Sequence, residues 1–136
     1  KAENTNVIQG SLDHQSYVKV AKEISNQFGC KYVALTLRTS LSASVNKWAG
    51  ILYSTELDES FLSKEYEIYV VDRVGSGDSF AAGVISLMNT FSGQESIEFA
   101  VAASCLKHTI EGDYNRISVD EINFLVRGNS SGRVIR

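Results

Sequence analysis

Val70-Val71-Asp72-Arg73-Val74-Gly75-Ser76-Gly77-Asp78-Ser79-Phe80-Ala81-Ala82-Gly83 is an apolar run that breaks into glycines and then resumes at helical spacing. It reads as a strand, a tight turn and a helix. Glycines at 75 and 77 allow backbone conformations closed to residues with a Cβ, so successive N–H groups can converge on one negatively charged group. The helix that follows adds its unpaired first-turn N–H groups and the positive end of its dipole. Asp78 is then a carboxylate beside a site suited to anions, a poor arrangement for binding and a good one for accepting a proton. A transferring phosphoryl group over the glycines and a substrate hydroxyl at Asp78 would make a kinase half-site. Gly-Ser-Gly-Asp taken alone also fits a plain turn with an ordinary acidic residue at a helix start.

Around this stretch lie 136 residues, the size of one domain, and 43% hydrophobic content is enough to build a core. Thirteen basic and 16 acidic residues are interspersed for a net charge of −3, which gives neither a basic stripe for nucleic acid nor a polybasic patch for a membrane. Cys30 and Cys105 lie far apart, and the chain has no apolar run of membrane-spanning length and no signal peptide. The expectation is a reduced, cytoplasmic protein. Cys105-x-x-His108 is a single pair of metal-type ligands without a second pair, so it is read as helix surface or core, and no metal is assigned to the cysteines. Proline is absent, so turns rely on Gly, Asn, Asp and Ser.

Residues 1–12 are polar and without period and read as a loop. From Asp13, the positions Tyr17, Val20, Ala21, Ile24 and Phe28 fall at helical spacing and Gly29 follows as a C-terminal glycine, which predicts an amphipathic helix. Lys31–Leu37 is a continuous apolar stretch, the pattern of a strand covered on both faces, and it implies a parallel sheet. Residues 45–53 follow a Ser-rich link and read as the partner strand of an edge hairpin, with Gly50 weakening that assignment. An acidic connection from Glu56 to Glu65 leads to the strand Tyr66–Val71. After the glycines, Phe80, Val84, Leu87 and Phe91 mark one helix face, and Ala81, Ala82 and Gly83 keep its first turns thin. Ser92 with Glu95, and Ser118 with Glu121, are capping boxes that predict two more helices. Between those helices, Ile110–Asn115 is a turn-rich connection expected to face back toward the glycines.

The longer string Asp72-x-x-Gly75-Ser76-Gly77-Asp78-Ser79-Phe80-x-x-Gly83 resembles, almost position for position, the C-terminal signature of the ribokinase-like (PfkB) carbohydrate kinases. Nearly the whole chain is similar to the C-terminal part of such a kinase in the order of its helices and strands. Several strings resemble the branch that acts on 2-keto-3-deoxygluconate: Arg73-Val74 within the signature, Leu35-Thr36-Leu37-Arg38, Ala100 to Ile110, Gly112-Asp113, and the closing Ser131-Gly132-Arg133-Val134-Ile135-Arg136. Related acid-sugar kinases could share them. The resemblance implies an α/β fold, the C-terminal part of a three-layer α/β/α architecture with a mostly parallel sheet. It implies that residues 1–136 form the nucleotide-binding and catalytic part of a kinase domain whose N-terminal part is absent.

By the same resemblance Asp78 is the catalytic base, which also meets the substrate, and Gly75, Ser76 and Gly77 form the anion hole. Asp113 matches a position that contacts hydroxyls of the sugar acid. Thr36 and Arg38 match the strand end near the nucleotide phosphates, although Arg38 stands where the wider family commonly has glycine. Ala102, Ala103 and Leu106 would lie by the adenine, or serve plain helix packing. Asp72 either orders water around a cation or closes the turn. ATP is the implied donor and Mg2+ the implied metal, but the family's Asn-x-x-Glu magnesium motif, sugar-binding sheet and lid would precede Lys1. The expected reaction is ATP-dependent phosphorylation of 2-keto-3-deoxygluconate to 2-keto-3-deoxy-6-phosphogluconate, the 136 residues alone being inactive. Alternatives are a kinase for another sugar or nucleoside, or a nucleotide-binding module without turnover. A dinucleotide-binding oxidoreductase is excluded because Gly75-Ser76-Gly77 lacks the third glycine and lies late in the chain. Whether the protein is a homo-oligomer is left open by the sequence.

Overall fold

Residues 13–128 are described by a computed structural model of the chain, and both the loop read at 1–12 and the string Ser131–Arg136 lie outside it. Gly29, at φ 67°, takes the left-handed turn that ends α1 (His14–Phe28), and its N–H closes on the Ser25 carbonyl. Such a conformation costs a residue with a Cβ and glycine little. The inward face of α1 is Tyr17, Val18, Ala21 and Ile24, so the helix is rotated slightly from the expected face and leaves Val20 and Phe28 exposed.

The strands are β1 (Tyr32–Ser40), β2 (Val45–Ser54), β3 (Glu59–Leu62) and β4 (Tyr66–Tyr69). The parallel pairing expected from the apolar run at 31–37 is not found: every ladder among the described residues is antiparallel. The expected cover on both faces is not found either: only Val33 and Leu37 of that run are buried, both on the face that meets α1, and a four-residue link between β1 and β2 leaves room only for a hairpin. β2, read as an edge partner, is the central strand. It pairs from Asn46 to Ser54 with β1 and on its other side with β4 at Val45–Trp48 and β3 at Ile51–Ser54. Between these two partners Ser63 fills in, donating its N–H to the Gly50 carbonyl at 3.0 Å and accepting the Gly50 N–H on Oγ at 3.0 Å. The stretch Glu56–Glu65, read as a plain connection, therefore contains a strand.

Helices cover both faces of the sheet. α1 packs on Val33, Leu37, Ala49, Ile51 and Tyr53. On the opposite face α2 (Ser76–Leu87) and α3 (Gly93–Lys107) bury Trp48 and Leu52, and α4 (Val119–Gly128) seals α3 with Ile122 and Leu125. Gly50 is the contact point: a Cβ there would meet Val101 Cγ2 at 2.8 Å and Phe80 Cε2 at 3.1 Å, so the residue that weakened the strand assignment is what lets the helices sit close. Gly83 does the same between helices, with Ala100 Cα 2.7 Å from where its Cβ would be. Both capping boxes form. Ser92 Oγ accepts the Glu95 N–H while Glu95 accepts the Ser92 N–H, and Ser118 and Glu121 repeat the exchange, a device worth about 1 kcal/mol per helix. Every residue from Ala100 to His108 is buried, because α3 touches the sheet, α2 and α4 on different sides. Among the described residues no helix is long and apolar enough to cross a membrane.

Candidate active site

β4 delivers the chain to the glycine stretch, and the C-terminal end of α3 receives it. The His108 carbonyl accepts the N–H groups of both Val71 (2.8 Å) and Asp72 (3.2 Å), which fixes the direction of the turn. Asp72 closes that turn by accepting the Val74 N–H on Oδ1 at 3.0 Å and reaches across to accept the Gly112 N–H on Oδ2 at 2.8 Å. These N–H donors, Val74 foremost, hold its carboxyl below the usual aspartate range. Of the two roles read for Asp72, the hydrogen bonds match turn closure, extended by a tie to the 110–115 connection. That connection does face the glycines.

Gly75 sits at φ 77° as the residue before α2. Asp113 O would be 2.6 Å from a Cβ at this position, so glycine is required twice, by backbone conformation and by space. Gly77 behaves differently from the expectation. Its φ is not positive and it lies within the first turn of α2, while a Cβ there would meet nothing within 4 Å. It leaves open ground over the helix N-terminus rather than bending the backbone. Ser76 is buried and its side chain is spent: Oγ donates to Arg73 O at 2.9 Å, and its carbonyl accepts Ser104 Oγ at 2.9 Å. Any anion contact by Ser76 is therefore through its backbone N–H. The Ser79 N–H already closes on Gly75 O at 2.9 Å, as the first helical bond, which leaves the earlier N–H groups of the turn as its orphan donors.

Asp78 is exposed in the first turn of α2, beside the open ground at Gly77. Among the described residues no hydrogen bond or ion pair engages its carboxylate, so it is available to a ligand. Asp113 is exposed, with its backbone against Gly75. Thr36 and Arg38 are exposed on β1, opposite Gly50 and Trp48, and so share the sheet face that carries α2 and α3. Arg38 is close enough to bear electrostatically on His108. Ala102, Ala103 and Leu106 are buried in the principal core, where they pack against its other members. Cys105 and His108 are buried too: His108 Nδ1 meets Ser104 O at 2.7 Å, its ring stacks edge-on to Trp48 at 4.6 Å, and burial pushes the Cys105 thiol up, away from the thiolate a metal needs.

Three residues of the site were not picked out from sequence. Ser104 and Lys107 bind backbone at the glycine turn and the 110–113 turn, and Asn115 Nδ2 donates to Ser79 Oγ at 2.9 Å, next to Asp78. Lys107 carried a signal, since it falls on the helical stripe of Ala100, Ala103 and Ser104, where an apolar residue is expected. Asn115 lies in an aperiodic segment and carried none. Among the described residues no group of three or more His, Cys, Asp or Glu is placed to hold a metal ion. The orphan N–H groups at the start of α2 suit a phosphate.

A family model described as pfkB family carbohydrate kinase matches residues 48–119, more than half of the chain. The crystal structure of 2-dehydro-3-deoxygluconokinase from Thermotoga maritima is 46% identical and superposes with a TM-score of 0.79, over 89% of this chain and 36% of that one. A pfkB family carbohydrate kinase from Listeria grayi is 30% identical with a TM-score of 0.71, over 88% and 36% of the two chains. A curated relative, 2-dehydro-3-deoxygalactonokinase of Haloferax volcanii, is 24% identical over 114 residues, 83% of this chain and 33% of its own. The chain spans about a third of the length of the relatives it matches.

Proposed function

Because the chain belongs to the pfkB family of carbohydrate kinases, we propose that the protein carrying it transfers the terminal phosphoryl group of ATP to a hydroxyl of a sugar acid. The acceptor that fits best is 2-keto-3-deoxygluconate, giving 2-keto-3-deoxy-6-phosphogluconate. Two things support that choice: the 46% identity to a 2-dehydro-3-deoxygluconokinase, and the local strings around Arg73-Val74 and Gly112-Asp113. Residues 1–136 supply the nucleotide-binding and catalytic part of the domain, and the remainder of the sugar site comes from the portion its relatives carry in addition. A cytoplasmic setting agrees with two free cysteines and the soluble metabolites involved.

The observation that carries the proposal is Asp78, exposed and unengaged beside open orphan N–H groups at the start of a helix. As the acceptor hydroxyl approaches phosphorus, its proton passes to the Asp78 carboxylate, the new O–P bond forms and the bond to the ADP oxygen breaks. Negative charge spread over the transferred phosphoryl oxygens falls on the N–H groups of the Gly75–Gly77 segment, held rigid by Ser104 and Asp72. Asp113, against Gly75, orients the sugar acid, and Thr36 and Arg38 border the nucleotide phosphates. Mg2+ enters no step derived from these residues, and Ala102, Ala103 and Leu106 act through packing.

The test is Asp78→Asn in the full-length protein. Turnover falls about 10²-fold or more while ATP affinity stays within a few-fold, the scale expected for loss of a general base. Near-normal turnover in the variant would remove the base assignment.

A further inference from the structure

Lys107 is completely buried, yet an apolar side chain would fill the same stripe of α3 at lower cost. Its Nζ donates to Gly112 O at 2.6 Å and to Ile110 O at 3.3 Å. The next carbonyl of that turn, Asp113 O, stands where a side chain on Gly75 would have to go, and Lys107 Cε is 3.2 Å from the same point. On the other side of Gly112, Asp72 accepts its N–H at 2.8 Å. One glycine is thus gripped from both ends, by a carboxylate that also closes the anion turn and by an ammonium rooted in the core.

We infer that Lys107 is a positioning residue for the anion site: its ammonium clamps the 110–113 turn under Gly75 and thereby aims the first N–H groups of α2. The clamp requires a group that donates two hydrogen bonds, because carbonyl oxygens at 2.6 and 3.3 Å converge on Nζ and a methyl group would leave both without that donor. The consequence for catalysis rests on the proposed phosphoryl transfer, whereas the clamp itself does not.

Lys107→Ala removes the cation and leaves a hole, and Lys107→Met removes the cation but keeps the hole filled. In the full-length protein both variants, folded, lose about 10- to 100-fold in kcat, the scale of hydrogen bonds to a charged group, with KM for the sugar acid within a few-fold. Ammonium chloride restores part of the loss in Lys107→Ala, because the ion fits the vacated space and meets the same carbonyls. It restores nothing in Lys107→Met and leaves the wild type unchanged, and tetramethylammonium at equal ionic strength restores neither variant. Hydrogen exchange of residues 109–115 is read on the same proteins without any turnover: it is faster in Lys107→Ala and slowed again by ammonium. Wild-type kcat in Lys107→Met would overturn the inference. So would an ammonium-insensitive loss in folded Lys107→Ala, or variants that all fail to fold, since Lys107 would then be a core strut only. Ammonium-dependent exchange in a protein without sugar-acid kinase activity would uphold the clamp and reject the phosphoryl transfer instead.

Discussion

Gly75→Ala and Gly77→Ala, separated by a single residue, are expected to move stability in opposite directions. At Gly75 an alanine meets two penalties. The left-handed conformation at φ 77° costs a residue with a Cβ about 1–2 kcal/mol, and Asp113 O, a backbone atom 2.6 Å from the new Cβ, has to be pushed away at about 1–3 kcal/mol more. A total of about 2–5 kcal/mol, set against an unfolding entropy of about 2.1 cal/mol/K per residue in a protein about three times the length of this chain, lowers the melting temperature by about 2–6 °C. At Gly77 neither penalty applies, since φ is ordinary and the position faces open space. Alanine there gains about 0.5–1 kcal/mol of helix stability. The methyl group nevertheless occupies the ground a phosphate must enter, and displacing charge from such donors costs about 10²-fold in kcat. Thermal unfolding and ATP-dependent phosphorylation, measured side by side on the full-length variants, check both arms. If Gly77→Ala were destabilised like Gly75→Ala, or were fully active, the division between a glycine for conformation and a glycine for access would be wrong.

In a panel of sugars and sugar acids, 2-keto-3-deoxygluconate gives the highest kcat/KM with the full-length protein, and a clear preference for ribose, fructose or adenosine would reject the acceptor while leaving the family intact. Residues 1–136 alone release no ADP in response to sugar acid, because positioning of both substrates contributes several kcal/mol of the barrier and the relatives are about three times as long; sugar-stimulated release by this segment would show it to be a complete catalyst. Burial holds the His108 imidazole below its ordinary value near 6.5, with Arg73, Lys107 and Arg38 nearby also disfavouring its charge. The unfolded chain therefore binds the extra proton first. Stability is level above about pH 6.5 and falls as the pH drops below it, by at most about 1.4 kcal/mol per pH unit. Urea unfolding of wild type and His108→Gln at pH 5 and 7 checks the sign, the variant losing that part of the slope.

The helices were legible because each of their ends is a local event. Gly29 supplies a left-handed stop, and two Ser-x-x-Glu boxes supply starts, with no help from distant residues. Strand pairing is not local. The apolar run at 31–37 reports a strand but not its cover, since only Val33 and Leu37 are buried and both face α1, and an apolar run suits a parallel strand and an antiparallel one alike, so the pairing direction followed only from the short link to β2. β3 was hidden because Glu59 and Ser60 are exposed, which leaves a strand of four residues with one partly buried apolar position. Within the site, the backbone features of Gly75 and the exposed Asp78 were readable from the glycine spacing. The partners that hold them, Ser104, Lys107 and Asn115, lie 28 to 36 residues from the groups they brace or more locally across a turn, and spacing in one strand or helix does not reveal such pairings.

These partners are not scattered over the fold, because most of them belong to one helix. α3 begins at a capping box, passes Ala100 against Gly83 in its middle, and ends with Ser104, Lys107 and His108 on the glycine turn and the 110–113 turn. Its middle is packed on three sides, so displacing it along its axis would disrupt the contact with the sheet at Gly50 and the contact with α2 at Gly83 together. A loop held at several points by such a shaft inherits its rigidity. The glycine turn can therefore consist of small, exposed residues, Gly77 and Asp78 among them, and still present its N–H groups in a fixed direction, since the precision resides in the buried end of α3 rather than in the turn itself.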